Sequence, residues 1–519
     1  MLDPASLQVL ISRLTGIADE MGNVLRRAAT SPNIKERADC SAALFTAEGE
    51  LLVQAEHIPV HLGSMPAAVQ AAIGACGARI RRGDDIVLND PFAGGTHLND
   101  VTLVTPCFSG TELVGWAANR AHHADLGGMA PGSMPADATE IAQEGLRLPP
   151  VLLTPEVEAV FVASSRTPDE RRGDLAAQRG ANARGVERLV ELRHEPFAEV
   201  LDYGQRRMRA ALGELPDGCW SATDIMDSVG SAPAQQSPSR ILLTLTIAGD
   251  EARFDFTGTD RQRAGNANAV EAVTASAVAY ALRAATDPTI PANAGTLRSV
   301  QLVAPAGSLV AARAPVAVGA GNVEVSQRVA DVCLRALAHA APDRLGAASQ
   351  GTMNNVLIGA DGDADGRGPF VYYETIGGGQ GGRPHRGGMS GVHTNMTNTR
   401  DTPVEALERA YPMRVRRYTL RRHSGGAGEH PGGEGIEREL ELAVDATVSL
   451  ITERRVSRPW GLAGGEPGAP GENWLLPSGD ETRAERLPDK CTIAVRAGDV
   501  LRILTPGGGG WGHPPLPDP

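Results

Sequence analysis

The sequence predicts a mixed α+β protein built in several layers. Three observations support this class: an amphipathic helix pattern near the start, short alternating strand patterns in the first half, and a glycine-rich, irregular last third. The chain has 519 residues with Gly 61 and Pro 36, so many tight turns are expected. We expect an N-terminal α/β part, a helical stretch, and then β-rich regions with antiparallel or barrel-like sheets.

The first 165 residues alternate between helix and strand signals. Apolar residues at spacings of three and four over 7–28 indicate an amphipathic helix. Weak alternation over 42–55, with a turn at 47–50, indicates a hairpin. The signals that follow are a helix over 65–80, a buried strand over 85–89, and paired strands over 101–108 and 113–119.

The remaining chain divides by composition. A charged helical pair is expected over 168–215, two alternating strands over 241–256 and a small-residue helix over 269–286. The run 362–366 is typical of a surface loop. Within one region 1–519 we therefore expect four sub-regions, with boundaries 1–165, 166–215, 216–345 and 346–519.

Composition argues against several classes of protein. The net charge is −13 with a pI of about 5.5, so the chain repels phosphate backbones and no nucleic-acid partner is expected. No cysteine belongs to a C-x-x-C pair, which favours a reduced, cytoplasmic protein. Neither a signal-peptide pattern nor an apolar run of about 18 residues occurs, so no membrane association is expected.

Histidines and acids concentrate between residues 36 and 128. Divalent metals prefer imidazole and carboxylate ligands, and His97-x-x-Asp100 can place two of them on one turn of chain. His122 lies where a predicted strand ends, which is a rigid place to mount a ligand. From spacing alone, either a metal site or ordinary His–Asp hydrogen bonds would explain the cluster. Its members are Asp39, His57, His61, Asp90, His97, Asp100, His122, His123 and Asp125.

Two common catalytic motifs are absent from the sequence. The chain has only two lysines, Lys35 and Lys490, and neither belongs to a Walker A pattern. No G-x-S-x-G nucleophile elbow occurs. Cys40 is interpreted as a buried neighbour of Asp39 rather than a nucleophile. The glycine-rich runs 377–382 and 507–510 indicate turns and close backbone contacts, or alternatively the lining of a passage.

Motifs spread in order along nearly the whole chain carry a family resemblance. The run Asp-Pro-Phe-Ala-Gly-Gly-Thr-His-Leu-Asn-Asp at 90–100 is similar to the D-P-[YF]-x-G-G-T-H-x-x-D signature of hydantoinase B/oxoprolinase proteins. The segments 57–65 and 121–128 resemble the same family. Further matches lie at 131–135, 143–146, 255–259, 351–355, 374–379, 424–428 and 454–461.

The resemblance implies a divalent metal, either Zn, Mn or Fe, bound by two acids and two histidines. Matched motif by motif, the ligands are Asp39, His97, Asp100 and His122. His123 varies between histidine and an aromatic residue in the family, and either His122 or His123 is a possible ligand; we prefer His122. His123 and His61 are then candidates for proton transfer. Asp90 and Asp125 are candidates for orienting the ligand imidazoles.

The resemblance also implies a function shared between two subunits. In that family an A-type subunit binds ATP and phosphorylates a cyclic amide, and the B-type subunit attacks the activated carbon with metal-bound water. This chain resembles the B-type subunit of an enzyme that opens hydantoin, N-methylhydantoin or 5-oxoproline rings. We expect a dimer of heterodimers. The alternatives are a subunit of an ATP-dependent ketone carboxylase, a non-catalytic structural subunit, and a metallohydrolase that acts alone.

Overall fold

A computed structural model describes residues 2–55, 58–362 and 368–515. Within these residues the chain forms four open sheets together with helices on their faces, which confirms the mixed class. None of the described sheets closes into a barrel, and their strands pair antiparallel except for one parallel pair in the second sheet. The helices are α1 Pro4–Ala28, α2 Pro32–Lys35, α3 Ser64–Cys76, α4 Pro155–Ala163, α5 Pro168–Glu191, α6 Phe197–Leu212, α7 Glu271–Ala285, α8 Ala294–Leu297, α9 Ser326–Ala340 and α10 Val404–Ala410.

The first sheet has six antiparallel strands in the order β2-β1-β5-β4-β3-β6. Residues alternate between its faces, and each face is covered by helices. Ala42 and Leu44 pack under α1 and α5, whereas Ala43 and Phe45 pack against α3. The strands are β1 Cys40–Thr46, β2 Leu51–Ala55, β3 Ile86–Leu88, β4 Asp100–Ser109, β5 Glu112–His122 and β6 Val151–Leu152.

The helix α1 covers this sheet because its sequence encodes both a clear start and one apolar face. The Asp3 carboxylate accepts hydrogen bonds from the N–H groups of Ala5 and Ser6, and Pro4 occupies the first turn. The buried residues recur at helical spacing, from Leu7 through Leu14 to Leu25. The predicted helix over 7–28 is therefore confirmed.

The second sheet, in the order β10-β9-β8-β7, packs on α9, which in turn packs on α7. Its inner face, including Leu243, Leu245 and Phe254, belongs to an extensive apolar core together with Val329 and Leu337 of α9. This core also holds the loop before α9 in place. The strands are β7 Gly218–Met226, β8 Ser239–Ala248, β9 Glu251–Asp255 and β10 Val300–Val303.

Two further antiparallel sheets share one apolar core near the C-terminus. One has the order β12-β11-β15-β18 and the other β13-β14-β19-β16-β17. The strands are β11 Asn355–Ala360, β12 Phe370–Glu374, β13 Met413–Arg421, β14 Gly435–Leu442, β15 Ala446–Ile451, β16 Glu472–Leu476, β17 Glu485–Leu487, β18 Lys490–Val495 and β19 Val500–Leu504.

The glycine-rich runs pack backbone against backbone beside these sheets. A Cβ on Gly379 would lie 2.0 Å from the Gly433 carbonyl oxygen, and one on Gly508 would lie 2.1 Å from the Gln380 carbonyl oxygen. Hydrogen bonds join the same runs, including Gly382 N–H to Gly509 O at 2.8 Å. Close backbone contact, one of the two predicted roles, is therefore confirmed.

The structure bears on two further sequence expectations, and two predicted features lie outside the residues that it describes. All six cysteines are free, as the irregular spacing predicted. No helix in the described part of the chain is both long and apolar enough to cross a bilayer. His57 and most of the predicted surface loop at 362–366 lie outside the described residues.

Candidate metal centre

Three neighbouring strands end at one edge of the first sheet and bring distant residues together. Asp100 begins β4, His122 ends β5, and the two are paired in the strand register. Asp39 directly precedes β1, and its carbonyl oxygen accepts the His122 N–H at 3.0 Å. Because antiparallel pairing fixes which residues lie opposite each other, the sheet itself places three of the predicted ligands side by side.

His97 reaches the same place from the turn before β4. Gly94 adopts a φ of 89°, and a Cβ there would lie 2.5 Å from the Ala67 backbone, so α3 packs directly on this turn. His97 Nε2 then lies 3.2 Å from Asp100 Oδ1. The spacing His97-x-x-Asp100 thus delivers both side chains to one point, as the sequence predicted.

His97, Asp100 and His122 form a buried group whose ligand atoms all lie within 4.8 Å of one another. The Nε2 atoms of both histidines are buried without a hydrogen-bond partner. An orphaned buried nitrogen is costly, and a cation beside Asp100 Oδ1 would satisfy His97 Nε2, whereas His122 turns its Nδ1 towards that oxygen. Two imidazoles and a carboxylate fit Zn, Mn or Fe. Asp39 lies at the edge, with Oδ2 4.0 Å from His122 Nδ1, outside the three-residue group.

The two oxygens of Asp100 have separate sets of neighbours. Oδ1 faces the imidazoles of His97 and His122, at 3.2 and 3.4 Å. Oδ2 accepts hydrogen bonds from Thr96 Oγ1 at 2.6 Å and Asn322 Nδ2 at 3.0 Å, and lies 3.4 Å from His61 Nε2. One oxygen is therefore fixed by the protein while the other points into the candidate centre.

The charges of the group are strongly coupled. Burial on its own would raise the pKa of Asp100, but His97, His122 and His61 hold it well below its usual value. Burial on its own would lower the pKa of His97, but Asp100 raises it above its usual value. Burial lowers the pKa of His122. Without a cation the Asp100 charge is thus balanced chiefly by His97, and a cation bound there would replace the His97 proton.

The two histidines predicted for proton transfer lie in different environments. His61 is buried between Ser41 Oγ, 2.9 Å from its Nδ1, and Asp100 Oδ2. His123 points to the opposite side of the strand, where its Nε2 contacts Gln178 Oε1 at 3.0 Å and its ring meets Phe161 edge-on. Burial and Arg171 lower the pKa of His123 to about 4. His61 thus adjoins the group, and His123 does not join it.

Asp90 and Asp125 have partners other than the ligand imidazoles. Asp90 pairs with Arg147 at 2.8 Å and caps the turn through Phe92 N–H at 3.0 Å. Asp125 pairs with Arg166 at 3.0 Å and accepts N–H groups from its own loop. Asp90 therefore shapes the turn that leads to His97, and Asp125 shapes the loop that follows His122.

The groups that do contact the ligands come partly from distant segments. The Tyr373 ring stacks on His122 with centroids 4.6 Å apart, and the Gly319 carbonyl oxygen lies 3.3 Å from His97 Nδ1. Neither residue was predicted, nor were Thr96 and Asn322. Thr96 belongs to the recognised glycine-threonine-histidine motif and Tyr373 directly precedes another, so proximity to motifs was the available signal.

Cys40 behaves as predicted. Its thiol is fully buried, and burial together with the Asp39 carboxylate raises its pKa to about 12. A thiol with that pKa stays protonated at neutral pH, and thiolate is the nucleophilic form. Cys40 is therefore a packing residue beside the candidate centre.

Comparison with known proteins identifies the family. The family model described as Hydantoinase B/oxoprolinase matches residues 3–514. The chain belongs to the hydantoinase B/oxoprolinase family. An uncharacterised protein of Methanocaldococcus jannaschii is 40% identical over 99% of this chain and 91% of its own length. The 5-oxoprolinase 1 of Arabidopsis thaliana is 40% identical over 98% of this chain.

A solved structure resembles this chain in both fold and sequence. The crystal structure of ATP-dependent caprolactamase from Pseudomonas jessenii matches with a TM-score of 0.91 and 29% identity, over 99% of this chain and 93% of that one. The chain spans only 42% of the Arabidopsis 5-oxoprolinase. Family members thus occur both at this length and as part of much longer chains.

Proposed function

We propose that this chain is the metal-carrying, B-type component of an ATP-dependent cyclic-amide hydrolase. The observation that carries the proposal is the buried His97–Asp100–His122 group, whose ligand atoms all lie within 4.8 Å of one another. The similarity to 5-oxoprolinase and to ATP-dependent caprolactamase supports a cyclic amide as the substrate class. Assays on hydantoin, 5-oxoproline and other lactams identify the ring that is opened.

The need for ATP follows from the chemistry of the bond. Amides resist attack because nitrogen donates electrons into the carbonyl group, and some opened rings readily close again. Phosphorylating the carbonyl oxygen produces a better electrophile and draws the reaction forward. Since the chain has no Walker A pattern, we propose that a separate A-type component binds ATP and that the two assemble as a dimer of heterodimers.

In this proposal His97, Asp100 and His122 hold a divalent cation, with Asp39 as the fourth ligand. When bound, such a cation lowers the pKa of water towards about 7 and polarises a carbonyl group. The protein residues supply orientation: Asp100 presents Oδ1 because Thr96 and Asn322 hold Oδ2. Burial of the group excludes bulk water and strengthens every electrostatic contact there.

The contacts of His61 favour a role in holding Asp100. With a proton on Nε2, His61 donates towards Asp100 Oδ2, and its Nδ1 accepts from the Ser41 hydroxyl. Both ring nitrogens then have partners within the protein. A proton that moves at this site would pass through Nε2 of His61, so His61 stays the proposed proton-transfer residue. His123 is proposed to support the strand end through Gln178.

The deciding experiment is purification of the chain with its A-type partner, followed by metal analysis and assays on cyclic amides and ketones with ATP. ATP-dependent ring opening without bicarbonate supports the proposal. Bicarbonate-dependent consumption of a ketone would assign a carboxylase instead, and ring opening without ATP or partner would assign a metallohydrolase that acts alone. Full activity in a His97→Ala, Asp100→Ala double variant would leave the site only a structural role.

A further inference from the structure

We propose that Glu144 is a positioning residue of the metal centre. It anchors the backbone segment 318–322, and that segment holds His97 and Asp100. The inference rests on the proposed metal site and adds to it a buried carboxylate that does not itself contact the ligands. Hydrogen bonds join Glu144 to this segment, and further hydrogen bonds join the segment to the two ligands.

Glu144 is fully buried and binds two successive backbone N–H groups. Its Oε1 accepts from Gly319 N–H at 2.7 Å and Val318 N–H at 3.1 Å, and its Oε2 lies 3.2 Å from the Val318 nitrogen. Successive N–H groups that converge on one carboxylate form a small anion-binding concavity. In the part of the chain that the structure describes, no arginine or lysine pairs with Glu144. The backbone N–H groups of Val318 and Gly319 take the place of such a partner.

The segment that Glu144 holds continues directly to His97. The Gly319 peptide gives its N–H to Glu144 and presents its carbonyl oxygen 3.3 Å from His97 Nδ1. A carbonyl oxygen accepts only from a protonated ring nitrogen, so this contact selects the tautomer with the proton on Nδ1. Nε2 is then the nitrogen turned towards Asp100 Oδ1, and both atoms would face a cation bound between them.

Three residues later the same segment reaches Asp100. Asn322 Nδ2 donates to Asp100 Oδ2 at 3.0 Å and so helps to leave Oδ1 for the candidate centre. Asn322 lies in a π-helical turn, Gly321–Val325, of a kind that is frequent at functional sites. One short segment therefore orients two of the three clustered ligands, although it lies more than 200 positions away from them in sequence.

The close packing of the segment leaves no room for a side chain at Gly319 or at Gly321. A Cβ on Gly319 would lie 2.9 Å from Glu144 Oε1, and one on Gly321 would lie 1.9 Å from the Asn268 carbonyl oxygen. Loss of the Glu144 carboxylate leaves two buried N–H groups without an acceptor. The segment must then shift, and the contacts to His97 and Asp100 shift with it.

The test compares Glu144→Gln and Glu144→Ala with Asp227→Asn. Asp227 is a matched control because it too is a buried carboxylate that accepts successive N–H groups, from Arg455, Val456 and Ser457 at 2.7 to 3.0 Å. It contacts none of the ligands. The readouts are Zn²⁺ affinity, measured by competition with a chelator, and the absorption spectrum of the Co²⁺-substituted chain, which reports ligand geometry.

We expect Glu144→Ala to weaken Zn²⁺ binding by about 10–100-fold, the range typical of groups that orient metal ligands. Glu144→Gln should weaken it less, because glutamine keeps one acceptor oxygen and Oε1 alone accepts both N–H groups. Glu144→Ala should also alter the Co²⁺ spectrum, and Asp227→Asn should alter neither readout. Wild-type affinity and spectrum in Glu144→Ala would overturn the inference.

Two further outcomes keep the test decisive. If neither Glu144 variant folds, Asn322→Ala takes its place, since it removes the other contact of the same segment; unchanged Zn²⁺ affinity there overturns the inference. A wild-type chain that binds no Zn²⁺, Mn²⁺ or Fe²⁺ at all refutes the proposed metal centre itself. The two failures are therefore distinguishable.

Discussion

Asp100 and His122 stand opposite each other at the paired ends of β4 and β5, and Asp100 Oδ1 lies 3.4 Å from His122 Nδ1. Strand pairing therefore sets their separation before any ligand arrives. A site mounted on regular strands is more rigid than one mounted on loops.

Replacing Asp100 by asparagine should abolish high-affinity metal binding. An asparagine amide lacks the negative charge that Asp100 places between two imidazoles. Removing a residue that only orients a metal ligand lowers metal affinity by up to roughly 100-fold, and the loss in Asp100→Asn should be larger. Elemental analysis of the purified chain measures it. Asp90→Asn, which breaks a pair with the partly exposed Arg147, should keep the wild-type stoichiometry. A full equivalent of metal in Asp100→Asn would contradict the proposed site.

Two substitutions of Tyr373 should separate stacking from hydrogen bonding. The hydroxyl donates to Asn355 Oδ1 at 2.9 Å, and the ring stacks on His122. Tyr373→Phe leaves a buried acceptor unpaired, so we expect a loss of about 1–3 kcal/mol in stability with little change in metal affinity. Tyr373→Ala also removes the stacked ring and should weaken metal binding. Denaturant titration and chelator competition measure the two effects, and equal metal affinity in all three chains would contradict a role for the ring.

Glycine substitutions should have opposite effects in two parts of the chain. Gly508→Ala would place a Cβ 2.1 Å from the Gln380 carbonyl oxygen, and overpacking of this kind costs at least about 1–3 kcal/mol. Gly180 lies on the exposed face of α5 with no atom within 4 Å of a new Cβ. Gly180→Ala should therefore stabilise by about 0.5–1 kcal/mol. Thermal unfolding midpoints measure both, and a tolerated Gly508→Ala would contradict the backbone packing described here.

Glu324 should make stability depend on pH. Burial first, and then the nearby Glu453, raise the pKa of Glu324 from 4.5 to about 8, although Lys490 opposes this. The folded state therefore holds this proton more tightly than the unfolded state. The resulting stabilisation is complete below about pH 4.5 and is lost as the pH rises towards about 8.

Glu324→Gln isolates this contribution because glutamine resembles the protonated acid. Its oxygen can still accept from Asn355 Nδ2 and Met353 N–H. The unfolding midpoint of the wild type relative to this variant should fall between about pH 5 and about pH 8.5. A difference that stays constant, or rises, over this interval would show that Glu324 is ionised in the folded protein.

Local patterns in the sequence predicted the scaffold of the site well. The strand signals over 101–108 and 113–119 correspond to β4 and β5, and the glycine turn before His97 delivers that residue as expected. Side chains at successive strand positions point to opposite faces, so only one of His122 and His123 can face Asp100. The structure brings His122 into the group, and His123 points to Gln178.

Contacts between distant segments were beyond the sequence patterns. Gly319 and Asn322 contact His97 and Asp100 across more than 200 positions, and Tyr373 in β12 stacks on His122 from a similar distance in sequence, so no local periodicity encodes these contacts. The helix α9 was not predicted either. Its buried apolar residues, such as Val329, Val332 and Leu337, recur at helical spacing, so the signal was present in the sequence although the first turns also bury Arg328 and Asp331 in ion pairs.

The wide sequence separation of the groups around His122 also bears on biosynthesis. Asp39 contributes the backbone contact, residues 319–322 orient the neighbouring ligands, and Tyr373 covers the imidazole. A nascent polypeptide therefore cannot complete this set of contacts until Tyr373 has left the ribosome. The imidazoles of His97 and His122 are made much earlier, so they gain these neighbours only in a late step of folding.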